Sequence, residues 1–167
     1  MRQVLSVKRH ERMNKMVIIS KISIDNRIWS VVSTSGALVQ GSYGHSSVWD
    51  PLTKRIYVYG GYQSESSSTY GLTNALYSYD TAQKVWRTHP SSGSYRYLHS
   101  AVMSGGLMLV YGGNTHNETA ISNVSSSLND ADAFDVIFKY SGFVHFDCFG
   151  LHAITSSDLP AFVGRLK

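Results

Sequence analysis

His45, Ser46 or Ser47, and Asp50 are the residue types of a hydrolytic triad, and they fall within one short stretch. A triad needs a nucleophile on an exposed, strained turn and a base oriented by an acid. Here the residues run along Ser46-Ser47-Val48-Trp49, which reads as a β-strand, where neighbouring side chains point to opposite faces. That placement favours a structural role over nucleophilic catalysis. A second set is His45, His99 and His152, separated by 54 and 53 positions. Three imidazoles could bind zinc or copper, but ligation needs donors about 2 Å from one ion. None of the three has an acidic residue or a second histidine beside it that would complete a ligand set, so their regular spacing points to repeat-imposed structure. Cys148 is the one cysteine, which excludes an internal disulfide and a thiolate metal cluster. The glycine pairs Gly60-Gly61 and Gly112-Gly113 are not followed by helix signals, so they are not phosphate-cradling loops.

The elements that position these residues repeat. The glycine pairs lie 52 positions apart, each ending a β-forming run: Ile56-Tyr57-Val58-Tyr59 and Met108-Leu109-Val110-Tyr111. A histidine-led run precedes each one: Tyr43-Gly44-His45-Ser46-Ser47-Val48, then Tyr97-Leu98-His99-Ser100-Ala101-Val102. A period of about 50 residues is the signature of a kelch-type β-propeller, in which one repeat builds one four-stranded blade. The expected fold class is therefore all-β, a partial kelch propeller of about three blades, incomplete at both ends.

The first full unit, 36–90, is the clearest. Ser46 to Trp49 and Ile56 to Tyr59 are strands joined by the turn Asp50 to Arg55. Ala75 to Asp80 alternates as a third strand, and Val85-Trp86-Arg87 is the fourth, so Tyr79, Asp80 and Trp86 join the histidine and glycines as repeat-structural residues. The second unit, 91–145, repeats this order with less fidelity. Ala133-Phe134-Asp135 stands for Ser78-Tyr79-Asp80, and Tyr140 lies near the place of the missing tryptophan. Upstream, a partial blade over 17–35 is expected, with Ile22-Ser23-Ile24-Asp25 and Trp29 matching Tyr77-Ser78-Tyr79-Asp80 and Trp86. Downstream, His152 and Gly164 mark the start of a further blade over 146–167.

Charge divides unevenly. Residues 1–21 carry six basic residues and Glu11, a net of +5, and the remaining residues carry nine basic and ten acidic, a net of −1. A basic tail beside a neutral body is read as a solvated segment, 1–16, expected to be poorly ordered, with no nucleic-acid partner. The longest apolar runs are about five residues, against roughly twenty needed to span a bilayer, and Met16 to Ile19 is too short for a signal-peptide core. Neither membrane insertion nor an export address is therefore expected of this chain.

Beyond the general repeat, four stretches resemble the kelch region of attractin and attractin-like proteins. They are Gly36 to Val48, Tyr57 to Tyr62, Arg96 to Val102 and Tyr111 to Thr119. The resemblance is close from about Trp29 to Thr119. It implies a non-catalytic role in cell-surface recognition or receptor accessory function, an extracellular or membrane-associated glycoprotein setting, a protein partner and no cofactor. The attractin family tends to carry cysteines after the second glycine pair, where this chain has Ser125 to Asp135. An intracellular kelch adaptor, of the ubiquitin-ligase or cytoskeletal type, is the alternative. A kelch-type copper oxidase is a remote one, since its chemistry needs a cysteine-crosslinked tyrosine with paired histidines.

Asn117-Glu118-Thr119 and Asn123-Val124-Ser125 fit the N-glycosylation sequon. The polar stretches 62–74 and 114–129 are the expected contact loops, with Tyr62, Tyr70, Asn114 and His116 as candidate partner-contact residues, because rigid blades display function on their loops. Uncovered blade faces are expected to favour self-association.

Overall fold

The computed structural model describes residues 3–9, 17–23, 25, 27–64, 70–91, 93–115, 128–136, 143–147 and 150–152. Among them the secondary structure is entirely β. Strands β1 (Gln3–Arg9), β2 (Val17–Ser23) and β3 (Ile28–Val31) form an antiparallel sheet in sequence order. Two short strands follow, β4 (Ser35–Gly36) and β5 (Ser42–Tyr43). The chain then enters β6 (Ser46–Asp50) and β7 (Arg55–Tyr59), passes through the short β8 (Tyr62–Ser64) and β9 (Tyr70–Leu72), and returns as β10 (Leu76–Asp80) and β11 (Val85–His89). The last group is β12 (Ser100–Ser104), β13 (Leu107–Tyr111), β14 (Asp130–Asp135), β15 (Phe143–Asp147) and β16 (Gly150–His152).

Strands β6, β7, β10 and β11 make an antiparallel meander, and β4 adds a parallel pair outside β11. Strands β12 to β16 make a second meander in sequence order, and β12 lies beside β6. These are two neighbouring blades of a partial propeller. A small sheet, ordered β5-β8-β9, sits where the strands of the first blade begin and end.

Both faces of β7 are buried, which explains its unbroken apolar run. Tyr57 and Tyr59 point to the second blade and pack with Leu76, Met108, Val110 and Phe134. Ile56 and Val58 point the other way, onto Val39, Tyr79 and Trp86. Period-two alternation thus builds two cores from one strand. Each buried Val- or Leu-sized side chain contributes about 1.5–3 kcal/mol.

Two connections in the first blade are built alike. Asp50 accepts from the backbone N–H groups of Leu52 (3.1 Å) and Thr53 (3.0 Å), and Asp80 does the same for Ala82 (3.1 Å) and Gln83 (2.9 Å). Each turn ends on a lysine in left-handed backbone, Lys54 at φ 54° and Lys84 at φ 60°. The Gln83 hydrogen bond, together with those from Ala82 and Arg55, holds the Asp80 carboxyl below its ordinary range.

The structure departs from the sequence reading in four places. Gln3–Arg9, expected to be poorly ordered, pairs with Val17–Ser23 from Gln3↔Ser23 to Arg9↔Val17; its Val4, Leu5 and Val7 are strand formers despite the flanking charge. The first partial blade is shifted by two residues. Arg27 N–H donates to the Ser23 carbonyl (2.8 Å), as Lys84 N–H does to Asp80 (2.8 Å), so Ser23 and not Asp25 stands in the place of Asp80. The fourth strand of the second blade falls beyond Tyr140, which lies outside the described residues. The pairing Phe134↔Phe143 repeats Tyr79↔Trp86, so Phe143 occupies the tryptophan's position. Finally, Gly150–His152 does not begin a new blade. It pairs with β15, His145↔His152, and widens the second sheet.

Candidate functional site

The two blades meet along a seam where the linker 93–99 runs from one to the other. Arg96 is fully buried there. Its Nη1 donates to the Gly112 carbonyl (2.7 Å) and to Asp130 Oδ1 (2.9 Å), and its Nη2 donates to Asp132 Oδ2 (2.8 Å). Alternation places Asp130 and Asp132 on the same face of β14 as Phe134, toward the first blade. Asp132 also accepts from Ser94 N–H (3.0 Å), and the Ser94 carbonyl accepts from the Tyr59 hydroxyl (2.7 Å). Burial, followed by the Asp132 charge, pushes the Tyr59 phenol well above its ordinary range. The linker is stitched to the first blade by Gly61 N–H to the Arg96 carbonyl (2.8 Å) and by Leu98 N–H to the Gly44 carbonyl (2.7 Å).

His99 completes the seam. Its Nε2 lies 2.8 Å from Ser46 Oγ across the two blades, and its ring meets Tyr59 edge-on at 5.5 Å. Burial first, then the Arg96 charge, lowers its pKa to about 4. His45, the repeat equivalent, places Nδ1 3.0 Å from the Ser42 carbonyl, and burial lowers its pKa too. The triad suggested by residue type is not assembled. Ser46 pairs with His99 and not with His45, while Asp50 is buried at the far end of β6 with its carboxylate engaged by Leu52 and Thr53. The three histidines do not converge, because His152 belongs to the outer edge of the second sheet. Among the described residues, no group of three His, Cys, Asp or Glu is placed to hold a metal.

Gly60, Gly61, Gly112 and Gly113 all have positive φ. The requirement is sharpest at Gly113, where a Cβ would meet the Tyr97 carbonyl oxygen at 2.7 Å. Tyr79 and Trp86 pack together at 5.1 Å in the first blade's second core, and Asp80 faces Arg55 at 3.4 Å.

Above the seam lies a cluster of tyrosines. Tyr62 is its buried centre, with ring centroids 5.2 Å from Tyr43, 5.7 Å from Tyr97 and 6.4 Å from Tyr70, the last nearly parallel at 13°. Tyr62 is therefore a support rather than a contact residue, as its 1% exposure shows. Tyr70 is exposed at the cluster's edge. Asn114 is half-buried and bridges Tyr97 through the backbone. His116, Asn117, Asn123 and Cys148 lie outside the described residues. Sequence reasoning missed Arg96, Asp130, Asp132 and Leu98. The available signals were an arginine between two tyrosines in a linker, and two aspartates at alternate positions of an apolar strand.

Residues 7–141 match the family described as Attractin/LZTR1 beta-propeller, which covers most of the chain. The chain belongs to this family. Among its relatives, the Caenorhabditis elegans protein tag-53 is 37% identical over 114 residues, 66% of this chain and 8% of that protein. Human Kelch domain-containing protein 3 is 28% identical over 99 residues, 58% of this chain and 25% of that protein. Mouse Multiple epidermal growth factor-like domains protein 8 is 30% identical over 100 residues, 58% of this chain and 4% of that protein. This attractin/LZTR1-type chain thus spans a quarter or less of each relative. Its kelch propeller architecture is that of a protein-interaction module.

Proposed function

We propose that the chain is a non-catalytic recognition module, attractin-like in its cell-surface or receptor-accessory role, that binds another protein through the loop end of its blades. The observation that supports this most is the tyrosine cluster. It joins the small β5-β8-β9 sheet to Tyr97 of the linker, next in sequence to the buried Arg96, and Tyr70 is its exposed member. Rigid aromatic side chains give contact area with little loss of conformational entropy. Tyr70 and Asn114 sit on this surface, and His116 in the second contact loop is proposed to join them. Asn117 and Asn123 are proposed glycan acceptors. The outward face of the second sheet carries Val102 and Tyr111, both more than half exposed, and is proposed to mediate self-association.

The alternative reading is an intracellular kelch adaptor, and the likeness to Kelch domain-containing protein 3 fits a kelch module in either setting. Subcellular fractionation with glycosidase treatment separates the two. A glycosidase-sensitive mobility shift in the secreted or membrane fraction is expected, and it should disappear in an Asn117→Gln, Asn123→Gln variant. A cytosolic, glycan-free protein would overturn the cell-surface reading.

A further inference from the structure

Three of the sheets follow one another as blades. His89, three residues after Trp86, packs between Tyr57 and Phe134 with ring centroids 5.9 and 5.8 Å away, and so seats the first blade on the second. Val32, three residues after Trp29, packs in the same way against the core of Ile56, Val58 and Tyr79. The pairing Ile22↔Trp29 repeats Tyr79↔Trp86. The β1–β3 sheet therefore precedes the first blade as the first blade precedes the second.

Blade packing covers one face of β7, and the repeat carries that face onto β13. Val48, Tyr57, Tyr59 and Leu76 of the first blade lie against Met108, Val110 and Phe134 of the second. The same register puts Val102, Leu109, Tyr111 and Ala131 at those four positions of the second blade, on the face turned away from the first. All four are apolar or aromatic again, yet Tyr59 is 0% exposed and Tyr111 is 54% exposed. The leading flank of the chain shows the matching contrast. Trp86 is 3% exposed, whereas Trp29 is 52% exposed and Val31 lies exposed on the same face of β3. The pairing Phe134↔Phe143 repeats Ile22↔Trp29, so Trp29 belongs to the kind of face that Phe134 presents to the first blade. The two exposed flanks are thus the two halves of the contact that the chain already makes at its own seam.

Resting on the self-association proposed above, we propose that the trailing flank receives a second copy of this chain, docked head to tail through its Trp29–Val31 flank, and that two copies close into one ring. Different surfaces meet at such a contact, so it is heterologous and ends only where the rotation closes. Three blades from each copy make six, within the range of about four to eight found in closed propellers, and a third copy would exceed it. Pairing of two trailing flanks with each other would instead create a contact with no counterpart inside the chain.

The test is sedimentation velocity of the whole chain and of two variants, Val102→Asp with Tyr111→Asp on the trailing flank and Trp29→Asp with Val31→Asp on the leading flank. The parent is expected to sediment as a dimer, and each variant alone as a monomer with at least a tenfold loss of self-affinity. An equimolar mixture of the two variants should recover a dimer, because one intact flank of each kind remains, and that recovery shows both variants to be folded. Should an aspartate pair unfold the chain, Tyr111→Ser and Trp29→Ser give the same comparison. A leading-flank variant that dimerises like the parent, a mixture of folded variants that stays monomeric, or an open series of larger oligomers would overturn the head-to-tail ring and leave self-association standing. A monomeric parent would overturn both.

Discussion

Leu98 and Gly44, 54 positions apart, adopt the same left-handed backbone and share one hydrogen bond across the blade seam, Leu98 N–H to the Gly44 carbonyl at 2.7 Å. One of the pair is free of Cβ strain and the other is not. A left-handed L-residue costs about 1–2 kcal/mol, and glycine returns about 0.4–1 kcal/mol of that through its freer unfolded chain. Leu98→Gly should therefore stabilise the fold modestly, by about 0.5–1 kcal/mol, read as a higher urea midpoint. A destabilised Leu98→Gly protein would mean that the leucine's contacts outweigh its backbone strain.

The Arg96 network predicts a large effect of the opposite sign. Its guanidinium is buried among Asp130, Asp132 and the Gly112 carbonyl. Removing it leaves two buried carboxylates without their cation, which costs about 3–5 kcal/mol. Arg96→Ala should fold poorly or melt far below the parent. Restoring neutrality with Asp130→Asn and Asp132→Asn in the Arg96→Met background should recover part of the loss. Chemical denaturation of the single and triple variants checks both expectations, and equal stability of the two would sink this account.

His99 makes the seam sensitive to acid. Its folded-state pKa lies near 4, below the ordinary 6.5, mainly because burial disfavours its charged form. The unfolded chain therefore takes up the proton first. The stabilisation from His99 is complete above pH 6.5 and is lost as pH falls from 6.5 toward 4, at about 1.4 kcal/mol per unit. His45, shifted in the same direction, adds to the loss. The unfolding midpoint should fall steeply across this window, and His99→Gln should flatten the profile. A midpoint indifferent to pH between 7 and 4 in the parent protein would contradict the shift.

The sequence made the blade legible wherever one residue type has one conformational use. The glycine pairs repeat at a fixed period with positive φ at all four positions, Asp50 and Asp80 close their turns in the same way, and Tyr79 packs on Trp86. What escaped were features decided by long-range partners. Tyr62 reads as a loop residue, yet Tyr43, Tyr70 and Tyr97 surround it. Arg96 has no structural role legible in the sequence, because its two carboxylates come from 34 and 36 residues away. The same holds for His152, whose spacing suggests a new blade while its pairing with β15 is a matter of which edge is free. Period locates the strands, and partners across the seam decide what their residues do.

The two glycines in tight backbone at opposite ends of β13 should respond differently to the same change. Gly113 has φ 89°, and a Cβ there would lie 2.7 Å from the Tyr97 carbonyl oxygen and 2.9 Å from His99 Cβ. The Tyr97 carbonyl is held in place by Asn114 N–H at 2.9 Å, so the clash cannot be relieved without moving the linker. Gly105 has φ 57° with nothing within 4 Å of its added Cβ. Gly105→Ala therefore meets only the backbone strain, about 1 kcal/mol, partly offset by the stiffer unfolded chain. Gly113→Ala adds overpacking against backbone and should cost more than about 3 kcal/mol. Equilibrium unfolding of the two alanine variants gives the comparison directly. Similar losses at both sites would mean that the linker yields, and the seam would not be the rigid support that a binding face at this end requires.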